Sequence, residues 1–289
     1  LFISSLISFS NFSLFLLISN ILADFNCQIL LLIFALSAKI VLFKLKSLSK
    51  YHFDYVINVS GYVDHSSFSN NGIEITKNHL IMILNLISII NRKKLKKFIQ
   101  IGSSEEYGVE TSSLIETNRE LPYTPYAASK VASTHFLQML YRSESFPATV
   151  MRLFLVFGPD QKSNRIVPYV IQNCLKDQTF KISEGKQLRD FIYIDDALDA
   201  IFLGLKSSKT SGQIYNLGSG KGITIKNLVY LIKDIAGGGK PKFGSYKNLR
   251  PENKILVAKI NKIQKDLKWK PKVNLESGLD RTIKFYNEK

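Results

Sequence analysis

Residues 98–108 read FIQIGSSEEYG, and residues 125–130 read PYAASK. The first stretch reads as a short strand, Phe98–Ile101, that ends in Gly102-Ser103-Ser104. The second opens a segment whose spacing predicts a helix over Pro125–Tyr141. Strand, small-residue turn and helix make the building unit of a parallel sheet, and the pattern repeats outward from here. Upstream, Phe53–Val59 reads as a strand closed by Ser60-Gly61, and Asn78–Ile90 has helical spacing before the basic cluster 91–97. Downstream, Thr149–Phe154 reads as a strand closed by Gly158-Pro159. Helices are expected over Val167–Lys176, Ala197–Lys206, Ile225–Ile235 and Leu275–Tyr286, with a strand-turn at Tyr215–Gly220. Such alternation predicts an α/β fold with a parallel sheet. Ligands of these sheets bind beyond the carboxyl ends of the strands. The informative residues are therefore Ser60-Gly61, Ser103–Glu106 and Leu155–Pro159.

The first 50 residues have a different texture. Leu, Ile, Phe and Ser dominate, the first charge is Asp24, and no glycine precedes Gly61. The run Leu1–Leu22 is long enough to span a bilayer. Three readings stand side by side: membrane contact through residues 1–23, a truncated or misread N-terminus, and a buried soluble segment. The rest divides into residues 51–160 and 161–289. Lys+Arg number 39 against 23 Asp+Glu, a formal charge of +16. That excess permits anionic partners, but no aromatic-basic motif points to nucleic acid, so a solvated basic surface is the expectation. Two cysteines, Cys27 and Cys174, form no CxxC pair, and the four histidines have no metal-ligand spacing. Neither a disulfide scaffold nor a metal site is expected, and a reducing, cytoplasmic location is. Gly237-Gly238-Gly239 is a turn and not a phosphate loop, because no GK[ST] follows it.

Chemistry concentrates at Tyr126 and Lys130. Separated by four residues on a helix, they share one face. An ammonium beside a phenol favours the phenolate and makes it a proton acceptor near neutral pH. The bare spacing also describes a surface Tyr/Lys pair. The serine-bearing strand end upstream, at Gly102–Gly108, favours the chemical reading, since a serine hydroxyl can hold a substrate hydroxyl while the phenol takes its proton.

Five motifs then occur in one order: GSSEEYG at 102–108, PYAASK at 125–130, RLFLVFGP at 152–159, QLRDFIYIDD at 187–196 and YNLGSG at 215–220. In this the chain resembles the extended short-chain dehydrogenases/reductases, the NAD(P)-dependent nucleotide-sugar epimerases and dehydratases, over residues 51–289. The resemblance implies a Rossmann-like NAD(P)-binding domain, represented here by residues 51–160, and a smaller nucleotide-sugar-binding domain, mainly 161–289. It implies oxidoreduction at C4 of a nucleotide-linked hexose, as epimerase, 4,6-dehydratase or 4-keto-sugar reductase, with NAD or NADP as cofactor, and a homodimer. Tyr126 then stands as catalytic base and acid, Lys130 as the lysine on the nicotinamide ribose, and Ser103 as the catalytic serine. Ser60, Gly61 and Asn78 take cofactor-side positions. Glu105 matches the dehydratase glutamate that removes the C5 proton, with Ser104 beside the substrate. Arg189 and Arg250 match the two arginines that meet the nucleotide diphosphate, as suits their planar forks. Three residues keep a structural alternative: Asn78 as a helix cap, Arg189 as a surface partner of Asp190 or Asp195, and Asp195 as a cap. Two departures stand out. Leu155 replaces the family's asparagine and offers no amide. No glycine-rich phosphate loop can exist before Gly61, so the first βαβ unit reads as missing or replaced, and an inactive remnant is the competing expectation.

Overall fold

The computed structural model describes the side chains of residues 51–109, 112–245 and 253–288, and the backbone of 29–32. The chain forms two compact units, each assembled from separate stretches of sequence: 1–108, 118–152 and 201–215 in the first, 109–117, 153–200 and 216–289 in the second. The expectations for residues 1–23, and for a missing first βαβ unit, fall on segments outside the described residues. Among the described residues no helix is long and apolar enough to cross a membrane.

The first unit is built on a sheet of order β1-β2-β3-β4-β8, with β1 Ile29–Leu32, β2 Tyr55–Asn58, β3 Lys97–Ser103, β4 Ala148–Leu153 and β8 Ile214–Leu217. Strands β1, β2 and β3 run parallel, with Tyr55 opposite Lys97 and Asn58 opposite Gln100. Six of the seven residues of β3 are buried, as expected for a strand covered on both faces. One covering layer is the helical run α1, made of Ile73–Thr76, a π-helical turn Lys77–Ile81, and Met82–Ile89. Helix α2, Pro125–Glu144, packs beside α1 in the same layer. Their apolar faces close a core that includes Val56, Ile83, Leu86, Phe98, Leu137 and Leu140.

Helix α2 begins where the sequence says it should. Pro125 takes the first helical position, where no backbone N–H is needed. The Thr124 hydroxyl accepts from the backbone N–H of Ala127 at 3.1 Å. Helix α1, by contrast, starts at Ile73 and not at Asn78. Asn78 thus lies inside a helix and is no cap.

The second unit packs α3 Ile166–Leu175, α5 Ile225–Ala236 and α7 Leu275–Asn287 around strands β5 Leu155–Phe157 and β7 Leu188–Tyr193, and also holds β6 Thr179–Lys181 and α6 Asn261–Leu267. Strand β7 runs parallel to β5 and antiparallel to β9, Gly222–Thr224. It passes without a loop into α4, Ile194–Lys206, whose first residues belong to this unit. Asp195 therefore occupies the first turn of α4 and not its cap, and its carboxylate lies 3.7 Å from Arg281.

Candidate active site

Both members of the Tyr126/Lys130 pair are buried, at 6% exposure each, so they are not a surface pair. The first turn of α2 faces the carboxyl end of β3, and Lys130 Nζ donates to the Ile101 carbonyl at 2.9 Å. Its nitrogen lies 5.9 Å from the centre of the Tyr126 ring. Burial pulls the Lys130 pKa down to about 8, opposed by the charge of Glu106. The ammonium is still charged at neutral pH, as the sequence argument requires.

Two residues beyond Ile101 the strand delivers Ser103, and a tight turn follows over Ser104–Tyr107. The Ser103 hydroxyl accepts from the Glu105 backbone N–H at 3.2 Å, while Glu106 accepts from the Ser103 N–H at 2.9 Å. These reciprocal bonds form a capping box and fix the strand end. As an acceptor in that box, Ser103 keeps its own hydroxyl proton for donation. Ser104 is buried beside it. Glu105 is part-exposed, and its carboxylate meets His65 Nε2 at 2.7 Å.

Beneath the turn lies a buried ionic network the sequence reading did not find. Glu106 Oε2 accepts from Thr134 of α2 at 2.8 Å and from Arg152 Nε of β4 at 2.9 Å. Arg152 also reaches Glu120 at 2.7 Å and lies over the Tyr107 ring at 4.5 Å. One carboxylate thus ties the end of β3 to both α2 and β4. The available signal was Arg152 itself, a charge inside an otherwise buried strand, which demands a partner.

Two histidines, set aside because they lack metal spacing, flank the phenol. His79 of α1 meets Tyr126 edge-on at 4.9 Å, and His65 meets it at 6.3 Å. His79 is 3% exposed, and its ring nitrogens meet no well-aligned hydrogen-bond partner among the described residues, the Tyr62 backbone being the group that interacts with them. Burial, then the Lys130 charge, lowers its pKa to about 3, so it is a neutral ring in working conditions. His79 fills the space behind Gly61, where φ is +109° and an added Cβ would lie 2.5 Å from the imidazole. Ser60 bonds to Asn58 at 2.5 Å, and Asn58 to Gln100 at 2.8 Å, so β2 and β3 are laced together below Ser60-Gly61. Asn78 donates to the Tyr62 hydroxyl and to Glu74, both at 3.3 Å, and its Oδ1 has no partner among the described residues. The first unit therefore gathers Ser60, Gly61, Asn78, Ser103, Ser104, Glu105, Tyr126 and Lys130.

Arg189 belongs to the second unit. It is 6% exposed and donates to the carbonyls of Leu188 and Asn253, at 2.9 and 2.8 Å, so it is not a surface partner of its aspartate neighbours. Asp190 instead accepts from Ser219, Gly220 and Ala258 and clamps the turn after β8. Arg250 lies outside the described residues. Among the described residues no cluster of His, Cys, Asp and Glu could hold a metal ion.

The family model described as the NAD dependent epimerase/dehydratase family matches residues 44–218. Human dTDP-D-glucose 4,6-dehydratase is 30% identical over 210 residues, which cover 70% of this chain and 60% of the human protein. The chain spans about three-fifths of the length of the curated relatives it matches. Among solved structures, UDP-glucuronic acid 4-epimerase from Bacillus cereus, in complex with UDP-glucuronic acid and NAD, aligns with a TM-score of 0.77. Its identity is 25%, over 84% of this chain and 78% of that one. RMD from Pseudomonas aeruginosa, complexed with NADPH, shares the fold at a TM-score of 0.82 and 21% identity, over 99% of this chain and 98% of that one. With more than half its length matched, the chain belongs to the NAD dependent epimerase/dehydratase family.

Proposed function

We propose that the chain carries out NAD(P)-dependent oxidoreduction at C4 of a nucleotide-linked hexose, of the epimerase or 4,6-dehydratase type. The observation that carries this reading is the buried Tyr126/Lys130 pair, anchored by Lys130 to the end of the strand that presents Ser103. Ser103 donates to the substrate hydroxyl, and Tyr126 takes the hydroxyl proton as the C4 carbonyl forms. The Lys130 charge favours the phenolate that does this. Glu105 takes the C5 proton in the dehydratase outcome, with Ser104 beside it. Arg189 and Arg250 serve the nucleotide diphosphate. The names of the relatives, dTDP-glucose dehydratases and UDP-sugar 4-epimerases, support the substrate class.

The residues present fit the nicotinamide-ribose end of the cofactor. Lys130 has one hydrogen-bond acceptor among the described residues and three protons to give. Gly61 presents backbone without a side chain, and Asn78 Oδ1 has no partner among the described residues. Residues 1–60 hold no glycine that would let backbone approach the pyrophosphate. When bound, the nicotinamide supplies hydride acceptance and return. The proposal includes a homodimer through α2, as the family resemblance implies.

The test is turnover of dTDP-, UDP-, GDP- and CDP-hexoses with NAD and NADP, in the wild type and in Tyr126→Phe. Formation of a 4-keto product or an epimer, lost in Tyr126→Phe, is the expected result. The absence of glycine before Gly61 favours a second reading, a nucleotide-sugar-binding chain without turnover. Calorimetric NAD(H) affinity in the micromolar range rejects it.

A further inference from the structure

The loop between β2 and α1 carries a histidine that touches both proposed proton carriers. His65 Nε2 lies 2.7 Å from Glu105 Oε1, and the same imidazole stands edge-on to the Tyr126 ring, with centroids 6.3 Å apart and planes at 76°. One ring therefore spans the carboxylate delivered by the turn after β3 and the phenol delivered by α2. The loop is itself fastened, because Asp64 accepts from the Ser66 backbone N–H at 2.8 Å and from other groups of the loop.

We infer that His65 is a positioning residue for Glu105, holding its carboxylate on the Tyr126 side of the site. The inference rests on the proposed C4 chemistry and deepens it. Glu105 follows Ser103 by two residues on a tight turn, and its backbone is fixed by the bond to the Ser103 hydroxyl. Its side chain is not fixed that way. At about a third exposure it reaches solvent through three rotatable bonds, and an unheld carboxylate samples several rotamers. A carboxylate that must remove a carbon-bound proton has to be aimed. With its proton on Nε2, His65 supplies a donor at 2.7 Å that selects one rotamer. The imidazole does not touch the sugar and transfers no proton in this account. Asp64 on its own loop, Glu105 from the turn and Tyr126 from α2 are the groups that face it.

The test uses the full chain with NAD and dTDP-glucose, and reads hydride transfer as a transient separately from solvent deuterium incorporation at C5. His65→Ala is expected to slow C5 exchange on the order of tenfold, the scale of fixing a glutamate's side-chain torsions, with the hydride transient unchanged. His65→Gln, which keeps a donor at similar reach, is expected to recover most of the loss. In a Glu105→Gln background, His65→Ala should remove nothing further. Independently of turnover, an NMR titration of the His65 ring should show its pKa falling in Glu105→Gln, since a carboxylate favours the imidazolium. Wild-type exchange in His65→Ala, additive losses, or an unmoved His65 titration overturns the role of His65 alone. No turnover by the wild-type chain on any of the nucleotide hexoses overturns the proposed reaction, and this role with it.

Discussion

Replacing Lys130 by methionine should make the protein more stable at neutral pH while removing its proposed activity. The lysine is buried and charged, and its pKa falls from 10.5 to about 8 because burial disfavours the ammonium. At 1.36 kcal/mol per unit, a drop of that size corresponds to about 3 kcal/mol held against folding. Methionine of similar length escapes that cost but gives up the bond to the Ile101 carbonyl, worth about 1 kcal/mol. The expected net gain at pH 7 is therefore about 2 kcal/mol. Its sign with pH follows from linkage. Below the folded pKa both states hold the proton and the full cost is present. Between about 8 and 10.5 the folded state has released its proton and the unfolded state has not. The wild type therefore gains stability as pH rises through that window, and the advantage of the variant shrinks. Urea denaturation of both proteins near pH 7 and near pH 10, followed by circular dichroism, measures the difference with other titrating groups cancelling. A variant no more stable than wild type near pH 7, or an advantage that does not shrink by pH 10, refutes the reasoning. Turnover should fall in the same variant, since the charge beside the phenol is gone.

Three further outcomes test the surrounding structure. Glu106→Gln breaks the buried pair with Arg152 and should cost about 3 kcal/mol. Hydrogen exchange over residues 97–107 and 125–144 should then accelerate roughly 100-fold, and a change under about fivefold would count against the network. Gly61→Ala meets both a left-handed backbone and the His79 ring, so it should destabilise strongly. Adding His79→Ala should return the steric part, with a coupling of at least about 1 kcal/mol in the double-mutant cycle; strict additivity would show that the ring moves aside. Asp190→Asn places an amide where a carboxylate accepts from the N–H groups of Ser219, Gly220 and Ala258. The urea midpoint of the buried Trp269, in the same unit, should drop by an amount that reflects about 2 kcal/mol, and an unchanged midpoint would dismiss the clamp.

The elements that position Tyr126 were legible because local chemistry and tertiary packing agree there. Residues 98–101 are apolar but for Gln100, and Thr124-Pro125 is a start signal that no packing overrides. Helix α1 was read five residues short. Ile73 and Ile75 lie before Asn78, and the π-helical turn at Lys77–Ile81 shifts the apolar phase, so a regular period fits only the second half. Helix α4 was begun at Ala197 because a strand passing directly into a helix carries no turn residues to mark the change. Side-chain partners were the least legible layer. Glu106 and Glu105 are adjacent and identical in type, yet one is fully buried against Arg152 and the other faces His65. Only the direction of the turn after β3 separates them.

The grouping at that strand end is expensive, and the expense is informative. At the end of β3 the first unit buries Lys130 as a cation, Arg152 against Glu106, and the poorly satisfied ring of His79. Apolar residues of similar volume at these positions would fold as well or better, because buried ions rarely repay their desolvation. Such groups make physical sense where a charge must be held next to a proton carrier in a low-dielectric site. The costs converge on Tyr126: Lys130 and His79 lie against its ring, while Glu106 bonds Thr134 on its helix. Residues 1–60 hold no glycine, while β3, α1 and α2 bring Ser103, His79, Tyr126 and Lys130 together. The proton-transfer end and the pyrophosphate end therefore separate in experiment. Binding of a nucleotide-sugar and titration of the Lys130 ammonium report on the assembled end, and affinity for NAD(H) reports on the other. If Lys130 titrated well below neutral pH, instead of at about 8, no ammonium would stand beside the phenol in working conditions and the chemistry argued for Tyr126 would have no physical source.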